Sequence, residues 1–303
     1  MFKAWMTGSS ADDVTSAKVT FWEGQSLTWI ILARVDAVPY ILFGAPTGVS
    51  GVKKAKQDSI TYTASHTVVK LAAEDTVFTL DFFSPVDPEN DIRQSLPYSY
   101  LTVSATSDRA HDVSIFSAID GSWVGSDQKR VLSNHSWNGT SSIFEMHYEN
   151  PITFAEEDQM AAWGQTVFAM TNSTSKRVTG SVASRKDTLS TFTTTGSLTE
   201  SFKPYKPRDL VALAQSFSKV KNATATFAVG HHREKAINWL DKGHRTGFFR
   251  YKYPDVNSSV SQFLADYPAA LAASYTLDQK IRSAAMRTSK TYASIVEAAT
   301  RQA

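Results

Sequence analysis

The chain reads as mainly β with C-terminal α: a two-sheet antiparallel β-sandwich, then the first helices of a helical domain. Three observations predict this. Between residues 19 and 250, short apolar runs of strand length are separated by polar turns. All 14 glycines lie at or before Gly247. From Ser258 onward the apolar residues fall at helical spacing, through Phe263/Leu264, Tyr267, Leu271, Leu277, Ile281, Ala284/Ala285, Tyr292, Ile295 and Ala299. The change of period, marked by Pro254 and Asn257, divides the chain into 1–254 and 255–303.

Leu27–Val35 and Val38–Gly44 flank the short link Asp36-Ala37, as the arms of a hairpin do. Val77–Phe83 alternates in part, and so do Tyr98–Ser104 and Val113–Ile119. Further strands are expected near 130–136, 142–148, 160–170, 176–183, 187–194, 209–218 and 224–229. Asp209–Val220 is ambiguous, but its Ser-Phe-Ser end alternates and favours a strand. The Ser/Thr-rich stretch 188–201 reads as an edge strand or an exposed hairpin. No segment before about 255 holds a helical period for three turns, which argues against alternating β and α units. Pro268 falls inside the helical period and should start a new helix or kink the old one. The chain ends on Thr300-Arg301-Gln302-Ala303 with no Gly or Asn cap. An apolar stripe needs a partner surface. Both features read as an N-terminal fragment whose helical partner lies in sequence beyond it.

Composition excludes several classes. The formal charge is +2 with scattered charges, and no long basic run with interleaved aromatics suggests a nucleic-acid surface. No apolar run approaches the roughly 18 residues of a membrane span. Met1-Phe2-Lys3-Ala4-Trp5 lacks the n- and h-regions of a signal peptide. The chain has no cysteine, which excludes disulfides, cysteine nucleophiles and thiolate metal sites. No metal or cofactor is called for. Five asparagines, Asn134, Asn138, Asn172, Asn222 and Asn257, sit in Asn-x-Ser/Thr, where chance in this chain gives about two. That excess points to a secreted, glycosylated protein.

Few residue groups suggest chemistry. His231-His232-Arg233-Glu234 is the one histidine cluster, but neighbours on a strand face opposite ways, so one ring inward and one in solvent is expected. Ser-x-x-Lys occurs five times (Ser50/Lys53, Ser126/Lys129, Ser173/Lys176, Ser216/Lys219, Ser218/Lys221) and discriminates nothing. Asp120-Gly121-Ser122-Trp123 reads as a hairpin turn with Gly121 at positive φ. In extended chain, Phe248, Arg250 and Lys252 would share one face, a surface for a carboxylate or a sugar or a connector between domains. The densest segment is Ser84–Pro97. Pro85 and Pro88 stiffen it, and it carries Asp87, Glu89, Asp91 and Arg93, with Asp91 and Arg93 a candidate ion pair. The candidate rim or interface residues are Asp87, Asp91, Arg93 and Arg250.

That segment, Ser84-Pro-Val-Asp-Pro-Glu-Asn-Asp-Ile-Arg-Gln-Ser-Leu-Pro-Tyr-Ser-Tyr-Leu101, resembles the N-terminal region of the fungal glutaminase A family. Phe21-Trp-Glu-Gly24, Ala33-Arg-Val-Asp36, Phe43-Gly-Ala-Pro46, Ile119-Asp-Gly-Ser-Trp-Val-Gly125, Arg233-Glu-Lys-Ala-Ile237, Lys252-Tyr-Pro254 and Ala299-Thr-Arg-Gln-Ala303 agree with it in order. Ala37 departs from the family, which commonly has Gly there. The resemblance implies a secreted enzyme that hydrolyses the side-chain amide of L-glutamine to L-glutamate and ammonia, with a β-sandwich ahead of a large helical toroid. It implies that Ala303 lies near the start of the toroid and that the missing helical domain is this chain's partner. It assigns no catalytic residue to these positions. The chain alone is then expected to be inactive, bracing the helical domain. The rival reading is an accessory sandwich domain of a carbohydrate-processing or carbohydrate-binding protein, with Trp22, Trp29 and Trp123 as sugar contacts.

Overall fold

The computed structural model describes residues 13–20, 24–172, 177–240 and 242–302. Trp22, the pair Ser173/Lys176 and Ala303 lie outside them. The described chain is mainly β, with helices gathered at its C-terminal end. Twelve strands are joined by hydrogen bonds into one open sheet, rather than into two unconnected ones. Two strands organise it, Tyr98–Ile119 and Leu210–His232, which run antiparallel to each other over most of their length.

Each of these was expected as two strands. The apolar ends were legible, but the polar middles, around Thr106–Asp112 and Ser218–Asn222, remain strand, tied to each other where Val220 pairs with His111 and Asn222 with Thr106. Register shifts between Phe217 and Asn222 mark where the pair bends. Beyond the bend, Val113–Ile119 pairs with Trp29–Val35, and Leu210–Ser216 with Arg177–Ala183. Before it, Tyr100–Ser107 pairs with Thr76–Phe83, and Phe227–His232 with Gln165–Met170 of the strand Gln165–Thr171. That strand leads on to Ser141–Tyr148 and Val131–Trp137. The main apolar core draws on both halves, with Ile31, Ile115 and Leu213 from one and Leu80, Val103 and Phe168 from the other. Trp29 and Trp123 belong to this core, 5.3 Å apart and edge to face.

The hairpin link is a two-residue turn. Val35 pairs with Val38, and Asp36 and Ala37 take φ of 50° and 96°. A type I′ turn needs positive φ at both central residues, because its twist matches that of the strands. Asp36 tolerates this, and its carboxylate accepts from His111 Nδ1 at 2.6 Å and from the Asp112 amide at 2.9 Å. Ala37 has no such compensation. Ala37→Gly is therefore expected to raise stability by about 1 kcal/mol, read as a higher urea midpoint at unchanged slope.

The helices are α1 (Asp91–Ser95), α2 (Arg185–Thr195), α3 (Val256–Ala265), α4 (Tyr267–Met286) and α5 (Lys290–Gln302). α2 corrects the strand expected at 187–194, and with it the expectation of no three-turn helix before 255. Ser184 accepts from the Asp187 amide, and Gly196 closes the helix at φ 76° with its N–H on Phe192 O. Leu189 and Phe192, three apart, fill the outer face of the sheet beside Phe116 and Ala212. The Thr-rich composition hid this one-sided pattern.

Gly121 differs from expectation as well. It opens a single 3-10 turn without positive φ. Glycine is needed there because a Cβ would lie 2.7 Å from the Tyr205 hydroxyl, which accepts from the Gly121 amide. Near the C-terminus, Asp255 and Ser258 form a capping box that starts α3. Pro268 opens α4, where its missing N–H falls among donors that have no helical partner anyway.

Candidate functional site

The site lies where the outer face of the sheet changes character. Along a strand, residues two apart share a face. Ile143, Val167, Ala169, Ala228, Tyr98 and Tyr100 present an apolar face, and Val256, Val260, Phe263 and Leu264 of α3 cover it. The Tyr100 ring stacks on Phe263 at 3.9 Å between centroids and 9° between planes. The Tyr100 hydroxyl donates to Phe263 O. So the sheet itself is a partner surface for α3 and the start of α4. Of the expected stripe, Tyr292 and Ile295 on α5 are exposed.

Continuing along the same face past the start of α3, the residues turn polar. Glu145 and His147 follow Ile143, Gln165 precedes Val167, and His232 ends its strand. His147, Gln165 and His232 sit side by side in register. Together with Trp163, Arg250 and Asp255 they bound a cleft of about 500 Å³.

Glu145 is half-buried, and among the described residues its carboxylate has no hydrogen-bond partner. Burial pushes its pKa up; Asp255 adds to the shift and His147 opposes it. His232 is buried, and burial with Arg250 nearby brings its pKa down to about 4. Proton counting fixes its tautomer. The Ser259 hydroxyl donates to Val256 O, so it accepts from the Tyr98 hydroxyl at 2.9 Å. The Tyr98 oxygen then accepts from His232 Nδ1 at 3.3 Å, leaving Nε2 as the acceptor of a neutral ring. One ring was expected inward and one in solvent; His232 is the inward one and His231 is half-buried rather than free in solvent. Among the described residues the His231 Nδ1 is sealed without a partner, and burial lowers its pKa to about 3.

These histidines make the fold acid-sensitive. Their folded pKa values lie below the ordinary 6.5, so the unfolded chain takes up protons first. Stability is then full above about pH 6.5 and falls as pH drops towards 4. For His232 alone the loss from pH 7 to 4.5 is expected to be about 2 kcal/mol. Urea midpoints at the two pH values test this, and His232→Gln should narrow the gap.

The stiff segment Ser84–Pro97 meets the helices. Arg93 does not pair with Asp91. Two residues apart on α1, their side chains point different ways. Asp91 is exposed in the first turn of α1, where a carboxylate suits the helix N-terminus, and Asn90 caps it. Arg93 instead reaches Asp266, between α3 and α4, through Nε at 2.6 Å and Nη2 at 3.1 Å. Its Nη1 bonds Asp87. The Val86 amide donates to Ser274 of α4 at 3.2 Å. Asp87 and Arg93 thus form a clamp onto the helices. Arg250 stands apart on the cleft wall, 3.5 Å from Glu234, with Nη1 on Pro254 O. The extended alternation expected at 248–252 is replaced by a 3-10 turn, Phe248–Tyr251, that buries Phe249 against His232.

Of the sequon asparagines, Asn134, Asn138, Asn222 and Asn257 are exposed. Asn172 is half-buried, its amide donating to Asn138 O and accepting from Ser142. Among the described residues, no group of three or more His, Asp or Glu side chains is placed to hold a metal ion. Among the described residues, no helix is long and apolar enough to cross a membrane.

A family profile described as "Domain of unknown function (DUF5127)" matches residues 65–284. The chain belongs to that family. Glutaminase A of Aspergillus oryzae (strain ATCC 42149 / RIB 40) is 26% identical over 278 residues, covering 86% of this chain and 39% of that protein. A "Probable glutaminase" of Arthroderma benhamiae is 26% identical over 157 residues, covering 47% of this chain and 17% of that protein. These relatives place the chain in a glutaminase A-like family, and it spans well under half the length of each. Among solved structures, heparan sulfate lyase HepC from Pedobacter heparinus is similar with 9% identity and a TM-score of 0.32, covering 66% of this chain and 26% of that one. A likeness of that degree carries no argument.

Proposed function

We propose that the chain is the β-rich module of a glutaminase-A-like protein, and that the whole protein hydrolyses the side-chain amide of L-glutamine to L-glutamate and ammonia. In this reading the two halves of the bent sheet pack as a sandwich over residues 1–254, and 255–303 begin the helical domain. The module's task is to hold those first helices in place. The carrying observation is the clamp in which Arg93 ties Asp87 on the sheet side to Asp266 between α3 and α4. The glutaminase names of the relatives support the chemistry.

The carbohydrate reading has less support. Trp29 and Trp123 are core residues, so they offer no sugar platform. Secretion is part of the proposal, with glycans at the exposed Asn134, Asn138, Asn222 and Asn257 and none at Asn172. Loss of intact mass on deglycosylating secreted material tests this; an unchanged mass speaks against it.

An ammonia-release assay with glutamine tests the activity. The chain alone should match a heat-killed control, while a longer protein carrying the helical domain should release ammonia. Turnover by the chain alone, abolished by a substitution within it, would put the chemistry in the β-rich module. A longer protein inert towards glutamine would end the amide reading.

A further inference from the structure

The cleft beyond α3 carries one charge that its own residues leave unpaired and another that they pair only at the surface. Glu145 is a half-buried carboxylate without a hydrogen-bond partner among the described residues. A partly desolvated carboxylate left bare is unfavourable, and a ligand that donates to it recovers that cost. The Nε2 acceptor of neutral His232 belongs to the same floor. On the wall, the Arg250 side chain is only 18% exposed, and its carboxylate partner, Glu234, is 78% exposed and 3.5 Å away. That contact is one a ligand carboxylate can replace, because a guanidinium has five donors in a planar fork.

We propose that this cleft binds a small zwitterion, an α-amino acid, with its ammonium on Glu145 and its carboxylate on Arg250. The inference goes beyond amide hydrolysis: it concerns a ligand held by the β-rich module, whatever chemistry the whole protein performs. A volume of about 500 Å³ holds an amino acid with room for a few waters. A sugar fits less well. The Trp163 ring, which would have to stack on it, is covered by the Arg233 guanidinium at 4.6 Å and met by Phe154 at 5.4 Å. Its Nε1 is already spent on Lys235 O.

Isothermal titration of the chain with L-glutamine, glycine, n-butylamine, butyrate and maltose tests this. The amino acids should bind saturably, and the singly charged analogues at least tenfold more weakly. Glu145→Gln should weaken amino-acid binding by tenfold or more with an unchanged or raised Tm, since it removes a bare carboxylate. Arg250→Gln should weaken it similarly. Because Arg250 also holds Pro254 O, the Glu145 variant decides the matter if the Arg250 variant is unstable. Butylamine binding as tightly as the amino acids, saturation by maltose alone, or no saturable amino-acid binding would each overturn the proposal. Ammonia release by the longer protein is a separate readout, so failure of the hydrolysis reading is distinguishable from failure here.

Discussion

Arg93→Ala should destabilise the chain by about 3 kcal/mol, far more than an ordinary surface ion pair would. The Arg93 side chain is 14% exposed, and its partners Asp87 and Asp266 are 13% and 24% exposed. Removing the guanidinium leaves two carboxylates facing each other in a poorly solvated junction. The bidentate bond to Asp266 adds geometry that lysine cannot reproduce, so Arg93→Lys should recover only part of the loss. Urea unfolding at pH 7 gives the number. A loss under about 1 kcal/mol would mean that the clamp is solvated and holds nothing.

Phe263→Ala should cost about 3–5 kcal/mol. Phe263 is 1% exposed, stacked on Tyr100 and met edge-on by Tyr98 at 5.4 Å. Truncation opens a cavity between α3 and the sheet that neither rigid element can close. It also removes the ring against which the Tyr100 hydroxyl is held on Phe263 O. Phe263→Leu keeps much of the volume and should cost markedly less. Tyr292→Ala on the exposed face of α5 should stay within about 0.5 kcal/mol. Thermal or urea denaturation of the three variants side by side checks the ranking.

Much of the fold was legible in the sequence because local chemistry repeats itself there. The apolar ends of the long strands, the Asp36-Ala37 link and the roles of Pro254 and Pro268 each follow from short-range sterics or alternation. What escaped depended on distant partners. The polar middles of Tyr98–Ile119 and Leu210–His232 remain strand because each has the other to pair with. α2 was hidden because only Leu189 and Phe192 mark its buried face, although Ser184 and Gly196 announced its ends. In the site, the stiff segment around Arg93 stood out from its prolines, but its partner Asp266 lies 173 residues away and carried no local signal. Glu145 was missed for a similar reason, and His232, noticed as half of a histidine pair, was given no role. The alternation Ile143, Glu145, His147 shows that these three share a face, but not that α3 stops short of covering it.

Sheet and first helices should open as one cooperative unit. Native-state hydrogen exchange across low urea concentrations tests it most directly. The amides of α3 and of its partner strand over Tyr98–Ala105 should open with the same free energy, and Arg93→Ala should lower both together. Helical amides that open several kcal/mol below those of the strand, with the strand unaffected by Arg93→Ala, would contradict it.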